Sequence, residues 1–202
     1  MTLCIGLVVG DAVILAADSR RTIMPSGEYR DDFQKVMRIT DNLWTTGAGN
    51  SALSTYIQNL LSEFAPNNVE AYLQLLQPII LPVFRLQKTI YTDPRVTQAG
   101  YELMVALLVG GYNQATDKMC LFGFSSADDF MPSALLGGII GGTAHDQVLA
   151  QTVMASVGAS EPETAAEACK QAICAVSQTN REIGPHGHVV VIGRRGHKLI
   201  EF

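Results

Sequence analysis

Charge is scarce in this chain. Of its 202 residues only 16 % are Asp, Glu, Lys or Arg, whereas 48 % are apolar. So thin a polar coat points to a large buried fraction, to extensive subunit contacts, or to both. The 14 basic residues form no cluster and are outnumbered by 19 acidic ones, for a net charge of −5. That balance argues against nucleic acid as a partner. Cysteine is also rare. Cys4, Cys120, Cys169 and Cys174 lack the spacing of a disulfide framework and read as buried free thiols of a reducing cytosol. Long apolar runs are missing too. The best candidate, Leu73 to Phe84, is interrupted by Pro78 and Pro82, so no membrane-spanning helix is expected. No basic region precedes the first apolar residues, so no secretory signal is expected and a cytoplasmic location is. Repeats, linkers and low-complexity segments are absent, and one domain is expected over residues 1–202.

What is present is a regular alternation of element types. Thr2–Val9 and Ala12–Ala17 read as two buried strands around a Gly10-Asp11 turn. The polar stretch from Ser19 to Asp32 reads as a loop. Lys35–Ile39 and Leu43–Thr46 read as short strands, the second ending in a loop, Gly47-Ala48-Gly49-Asn50. Helical spacing follows over Ser51–Phe64, and Asn68 opens a second helix to about Ile90, which Pro78 and Pro82 should kink or break. Glu102–Gly110 and Met119–Phe124 are expected strands, and Ala134–Ile140 a single apolar run closed by Gly141-Gly142. Two more helices, His145–Ser156 and one opening at Ser160-Glu161-Pro162, precede strands at Val189–Ile192 and Lys198–Phe202. Strands segregated from helix pairs imply an α+β architecture, two sheets face to face with helices outside.

The second residue carries the chemical interest. Loss of Met1 would leave Thr2 with a hydroxyl and a free α-amine, a nucleophile and a base on one residue. An α-amine titrates at roughly 7.7–8.0, so much of it can accept a proton near neutrality.

With Thr2 at the start of a strand, the chain resembles the proteasome β-type family of N-terminal nucleophile hydrolases. Ala16-Ala17-Asp18-Ser19-Arg20-Arg21-Thr22 is similar to the family's Ala-Ala-Asp-Ser-Arg-x-Thr segment. Lys35-Val36-Met37-Arg38-Ile39 is similar to its lysine strand, and Gly47-Ala48-Gly49 to its loop before the first long helix. The Met-Thr-x-Cys start is most like the bacterial Anbu branch. The resemblance implies a four-layer αββα sandwich of two antiparallel sheets flanked by helix pairs. It implies a threonine peptidase in which Thr2 attacks, Lys35 depresses the proton affinity of the amine, Asp18 holds Lys35, and the Gly49 N–H faces the oxyanion. Arg21, Thr22, Phe33, Gly47 and Gly49 then fall at substrate-binding positions. The implied partners are a peptide or unfolded-protein substrate and further copies of the chain, in a ring or stacked rings. No nucleic acid or membrane is implied, and no particular ATPase.

The late part of the chain departs from the family. Gly142 stands where a serine is common, with Thr143 as a neighbouring hydroxyl, and Asn180 and Ile183 stand where an Asp and a Ser are common. These changes keep open a catalytically silent structural subunit of the same fold; a hydrolase of small amides is a second alternative, because the same threonine chemistry suits amides that are not peptides. A binding module without chemistry is a third. His186 and His188 lack the further ligands a zinc site needs and read as a surface or interface pair. Gly137 to Gly142 lacks phosphate-loop spacing and reads as a tight turn, and Arg194-Arg195 as a hairpin tip. No metal and no cofactor is expected.

Overall fold

The fold is seen in a computed structural model that describes residues 1–23, 26–63, 68–91, 93, 103–158 and 160–202. Two five-stranded antiparallel sheets make up its centre. The first has the order β10-β1-β2-β11-β12, with β1 Leu3–Val9, β2 Ala12–Asp18, β10 Gly137–Gly141, β11 Gly187–Gly193 and β12 Gly196–Glu201. The second runs β5-β6-β7-β8-β9, with β5 Val36–Thr40, β6 Leu43–Gly49, β7 Val105–Asn113, β8 Lys118–Ser125 and β9 Ser133–Leu135. Helices α1 Ser51–Glu63 and α2 Val69–Tyr91 cover the second sheet. Helices α3 Ala144–Val157 and α4 Pro162–Thr179 cover the first.

Period-2 alternation explains the layers, because successive strand side chains point to opposite faces. In β1 and β2, Leu3, Ile5, Ile14 and Ala16 pack under α3 and α4 with Ala165, Cys169, Ile173 and Val176. Their neighbours Cys4, Val13, Leu15 and Ala17 face the other sheet and meet Val36, Trp44, Leu108 and Leu121. On the far side, Val105, Leu107 and Val109 of β7 pack against Leu53, Ile57, Leu73 and Ile80 of α1 and α2. A strand buried on both faces reads as a continuous apolar run, which is what these segments show. This is the expected αββα sandwich.

Several local expectations are corrected. The stretch after Asp18 is not only loop: β3 Arg21–Ile23 pairs with β4 Glu28–Arg30 in a small hairpin. The Gly47-Ala48-Gly49 segment is the end of β6, paired with Val105 to Leu107, rather than a loop. The run Ala134–Ile140 is divided between β9 and β10, in different sheets, with Leu136 exposed at the crossing. Helix α2 continues through both prolines. Pro78 and Pro82 lie four residues apart on its exposed side, where water can serve the carbonyls they leave without a donor. Cys4 and Cys169 are buried, but Cys120 and Cys174 only partly so, and all four are free. Phe64 and Glu102, the ends of two expected elements, lie outside the described residues. Among the described residues, no helix is long and apolar enough to cross a membrane.

Candidate active site

The site forms where β1, β2 and the segment before β5 converge. Thr2 immediately precedes β1, Asp18 ends β2, and Lys35 immediately precedes β5. The Lys35 Nζ donates to Asp18 Oδ2 at 2.9 Å and to Thr2 Oγ1 at 2.9 Å. Asp18 is 0 % and Lys35 7 % exposed, so water does little to screen their charges from each other.

A buried carboxylate needs its lone pairs filled. Backbone amides do much of that for Asp18. Leu3 N donates to Oδ1 at 2.9 Å, and Arg20 N and Gly184 N donate to Oδ2 at 3.0 and 3.2 Å. The carboxylate is thus fixed by β1, by the turn after β2, and by the segment before β11. The Arg20 side chain closes that side. Its Nε and one terminal nitrogen grip both oxygens of Asp31 at 2.6 Å, and its other terminal nitrogen donates to Arg181 O at 2.7 Å. The Arg20 guanidinium holds the Asp31 carboxyl below its ordinary range.

Three glycines near the ends of β10 and β6 are tightly constrained, and one of them abuts Thr2. Gly141 has φ +76°, and a Cβ there would fall 1.9 Å from Thr2 O and 3.0 Å from Ala48 Cβ. The ends of β10 and β6 therefore abut at the Thr2 carbonyl. Gly49 has φ +102°, and its Cβ would fall 2.0 Å from Met104 O. Only glycine fits at either place. Gly47 is tight as well: its Cβ would come within 2.8 Å of Leu107 Cδ2.

Of the other expected binding residues, Arg21 and Phe33 touch each other. The Arg21 guanidinium lies 5.6 Å from the Phe33 ring centroid and bonds Asp32 at 3.0 Å. Thr22 is exposed and opposite Tyr29 in the β3–β4 hairpin. Phe33 N donates to Ser19 O at 3.1 Å, which ties this strip to the chain leaving Asp18.

Thr143, the hydroxyl expected beside Gly142, is committed to a helix cap. Thr143 caps α3: its Oγ1 accepts from Asp146 N at 3.2 Å and donates to Asp146 Oδ2 at 2.8 Å. Gly142 contributes its backbone instead, donating its N–H to Thr2 O at 2.8 Å. Asn180 donates to Asp146 Oδ2 at 2.8 Å and approaches Met1 Sδ at 3.7 Å. Ile183 is fully buried and faces no polar task. The Met1 ammonium lies 3.4 Å from Glu182.

Sequence reading missed Asp146, Glu182 and the amides of Leu3 and Gly184. A signal for Asp146 was available, since Thr143-Ala144-His145-Asp146 has capping-box spacing. Burial pushes the Asp146 carboxyl up, but hydrogen bonds from Thr143 and Asn180 outweigh it and leave the group below its ordinary range. Cys4 lies close to the site and bonds Thr46. Burial pushes its thiol up to about 12, so it stays protonated near neutrality.

His186 and His188 line a cleft of about 650 Å³ with Asp31, Asp32, Gln34 and Glu201. Thr2, Asp18 and Lys35 are not part of its lining. Among the described residues, no three His, Cys, Asp or Glu side chains stand together as a metal site.

Comparison with known proteins gives one family. A family model described as Proteasome subunit matches residues 2–192. No curated protein matches the sequence.

Proposed function

The chain belongs to the proteasome subunit family, and from that premise we propose that it is a threonine peptidase whose nucleophile is Thr2, exposed by loss of Met1. One observation carries this reading: a buried ammonium, Lys35 Nζ, lies 2.9 Å from both Thr2 Oγ1 and Asp18 Oδ2. The Thr2 oxygen attacks the carbonyl carbon of a peptide bond, and its proton passes to the Thr2 amine directly or through a water. The C–N bond then breaks, the leaving amine takes the proton, and an ester to Thr2 remains. Water activated by the same amine hydrolyses that ester. Lys35 stabilises the charge that builds on the attacking oxygen, and Asp18 keeps the ammonium in place. Gly49 N–H serves the oxyanion, a donor worth about 10²–10³ in rate. Arg21, Thr22, Phe33 and Gly47 line the path of an extended peptide that adds as a strand.

The Met-Thr-x-Cys start supports placement in the bacterial Anbu branch. The low charge content supports a homo-oligomer, family membership supports a ring or stacked rings that confine the sites, and the free cysteines fit the cytoplasm. A silent subunit of the same fold is the second reading. It is favoured by the hold on Met1, whose ammonium meets Glu182 at 3.4 Å, and by Gly142, Asn180 and Ile183 in place of the family's polar residues.

The test compares the chain beginning at Thr2 with its Thr2→Ala variant. Turnover of a fluorogenic peptide and labelling by a threonine-directed electrophile should both vanish in the variant. Equal turnover by the two would remove Thr2 as the nucleophile, and no labelling of either would favour the silent subunit.

A further inference from the structure

Asp146 is a buried anion that the mechanism above leaves unused. It is 2 % exposed and sits in the first turn of α3. Capping the helix requires only its exchange with Thr143, yet its carboxylate does more. Three donors converge on Oδ2: Thr143 N at 2.7 Å, Thr143 Oγ1 at 2.8 Å and Asn180 Nδ2 at 2.8 Å. Among the described residues Oδ1 accepts no hydrogen bond, and no cation pairs with the group. These neutral donors stabilise the ionised carboxylate without cancelling its charge, so it can still attract a nearby ammonium.

Its neighbourhood is the start of the chain. Asn180, bonded to Asp146, also reaches Met1 Sδ at 3.7 Å and accepts at its Oδ1 from Glu182 N at 3.0 Å. On the other flank, Gly142 N, one residue before the cap, holds Thr2 O at 2.8 Å. The first turn of α3 and the end of α4 thus bracket Met1 and Thr2. Loss of Met1 moves the terminal ammonium inward by roughly one Cα spacing, about 3.8 Å. The charged groups joined to Met1 and Thr2 by these contacts are Lys35 on the Thr2 hydroxyl with Asp18 behind it, Glu182 on the Met1 ammonium, and Asp146 through Asn180 with His145 beside it. Lys35 is already matched by Asp18. Glu182, 44 % exposed, is screened by water. Asp146 is the carboxylate there that no salt bridge engages among the described residues.

We propose that Asp146, held by Thr143 and Asn180, is a positioning residue for the α-amine that Thr2 exposes when Met1 leaves. The proposal rests on the threonine-peptidase reading. Lys35 lowers the amine's proton affinity and Asp146 raises it. Together they orient the amine and keep it able to both take and return a proton.

The experiment measures the Thr2 amine itself. The chain beginning at Thr2 is treated with acetic anhydride across a pH series, and acetylation of the N-terminal peptide is read by mass. Asp146→Asn should lower the pH of half-maximal reactivity by about half a unit or more. Asp146→Glu should restore it, and Glu182→Gln should leave it within about 0.2 unit of the parent, the effect of a screened charge. In turnover, Asp146→Asn should move the acid limb of the pH–rate profile downward by the same amount. Should Asp146→Asn fail to fold, Asp146→Gln takes its place, because glutamine suits this position of a capping box. An amine titration unchanged in the folded neutral variant overturns the proposal. Absence of turnover in the parent would sink the peptidase reading, while the acetylation series would still decide where Asp146 acts.

Discussion

The N–H of Leu3 donates to Asp18 Oδ1 at 2.9 Å, so the residue after the proposed nucleophile is tied to the carboxylate that holds Lys35. Asp18 is a node with four donors, three of them backbone amides. The two halves of the ion pair are therefore unequal. Lys35→Met leaves the carboxylate with three N–H partners. Asp18→Ala leaves a buried ammonium with only the Thr2 hydroxyl, and strands three amides as well. Urea unfolding should show Asp18→Ala losing about 3–5 kcal/mol, the cost of breaking a buried pair from one side. Lys35→Met should lose clearly less, yet abolish labelling of Thr2. Equal destabilisation by the two would mean that the amide contacts carry little.

Gly49 is constrained twice, by φ +102° and by Met104 O lying 2.0 Å from where its Cβ would be. Gly49→Ala should cost about 1–3 kcal/mol for the strained backbone alone, and more because β6 must move away from β7. The folded fraction should also turn over substrate more slowly, since the N–H proposed for the oxyanion moves with the strand. Thermal unfolding together with kcat per folded molecule separates these effects. An alanine variant as stable as the parent would mean that the β6–β7 pairing relaxes freely here.

Asp31 gives a prediction in pH. Arg20 holds its folded-state pKa below the ordinary value of about 3.9. A depressed carboxyl contributes stability above the unfolded pKa and loses it as pH falls through the folded value. The parent should therefore lose stability below about pH 4, where the unfolded chain takes up the proton first. Asp31→Asn should flatten that acid limb and lower stability at pH 7 by about 1–2 kcal/mol, a charge-assisted pair discounted for partial exposure. Urea midpoints between pH 7 and pH 2.5 check both. Parallel curves for parent and variant would show that the pair adds nothing.

Much of the fold was legible because hydrophobic pattern reports burial directly. The double-faced apolar runs of β1, β2 and β7 announce strands with a layer on each side. Thr2, Asp18 and Lys35 were legible only as a set, because a strand-end aspartate and a lone lysine are ordinary by themselves. What escaped the sequence depends on tertiary placement. The split of Ala134–Ile140 between two sheets leaves no local mark, since Leu136 at the crossing is as apolar as its neighbours. The prolines of α2 look like breakers until their shared exposed side is seen. The amides of Leu3 and Gly184 are backbone groups, and no side-chain pattern records where they point. The role of Thr143 depends on Asp146 three residues on, whose carboxylate takes the hydroxyl into a helix cap.

Met1 is only loosely held. Its ammonium pairs with Glu182 at 3.4 Å, yet the residue is 45 % exposed, and an exposed pair of this kind is worth at most about 1 kcal/mol. From Leu3 onward the chain is paired on both sides, with β2 and with β10, and Thr2 O is held by Gly142. An aminopeptidase needs the first residues extended and free, so removal of Met1 is easiest before β1 is in place. Threonine is small enough for such an enzyme to accept the Met1–Thr2 bond. Protein made in a bacterial host should therefore be at least partly shortened by one methionine, as an intact-mass spectrum will show. Slowing folding, or weakening the hold with Glu182→Gln, should raise the shortened fraction. Full-length chain alone, with active aminopeptidase present, would mean that Thr2 keeps an acylated nitrogen. The fold would then be retained without its proposed base, as the silent-subunit reading requires.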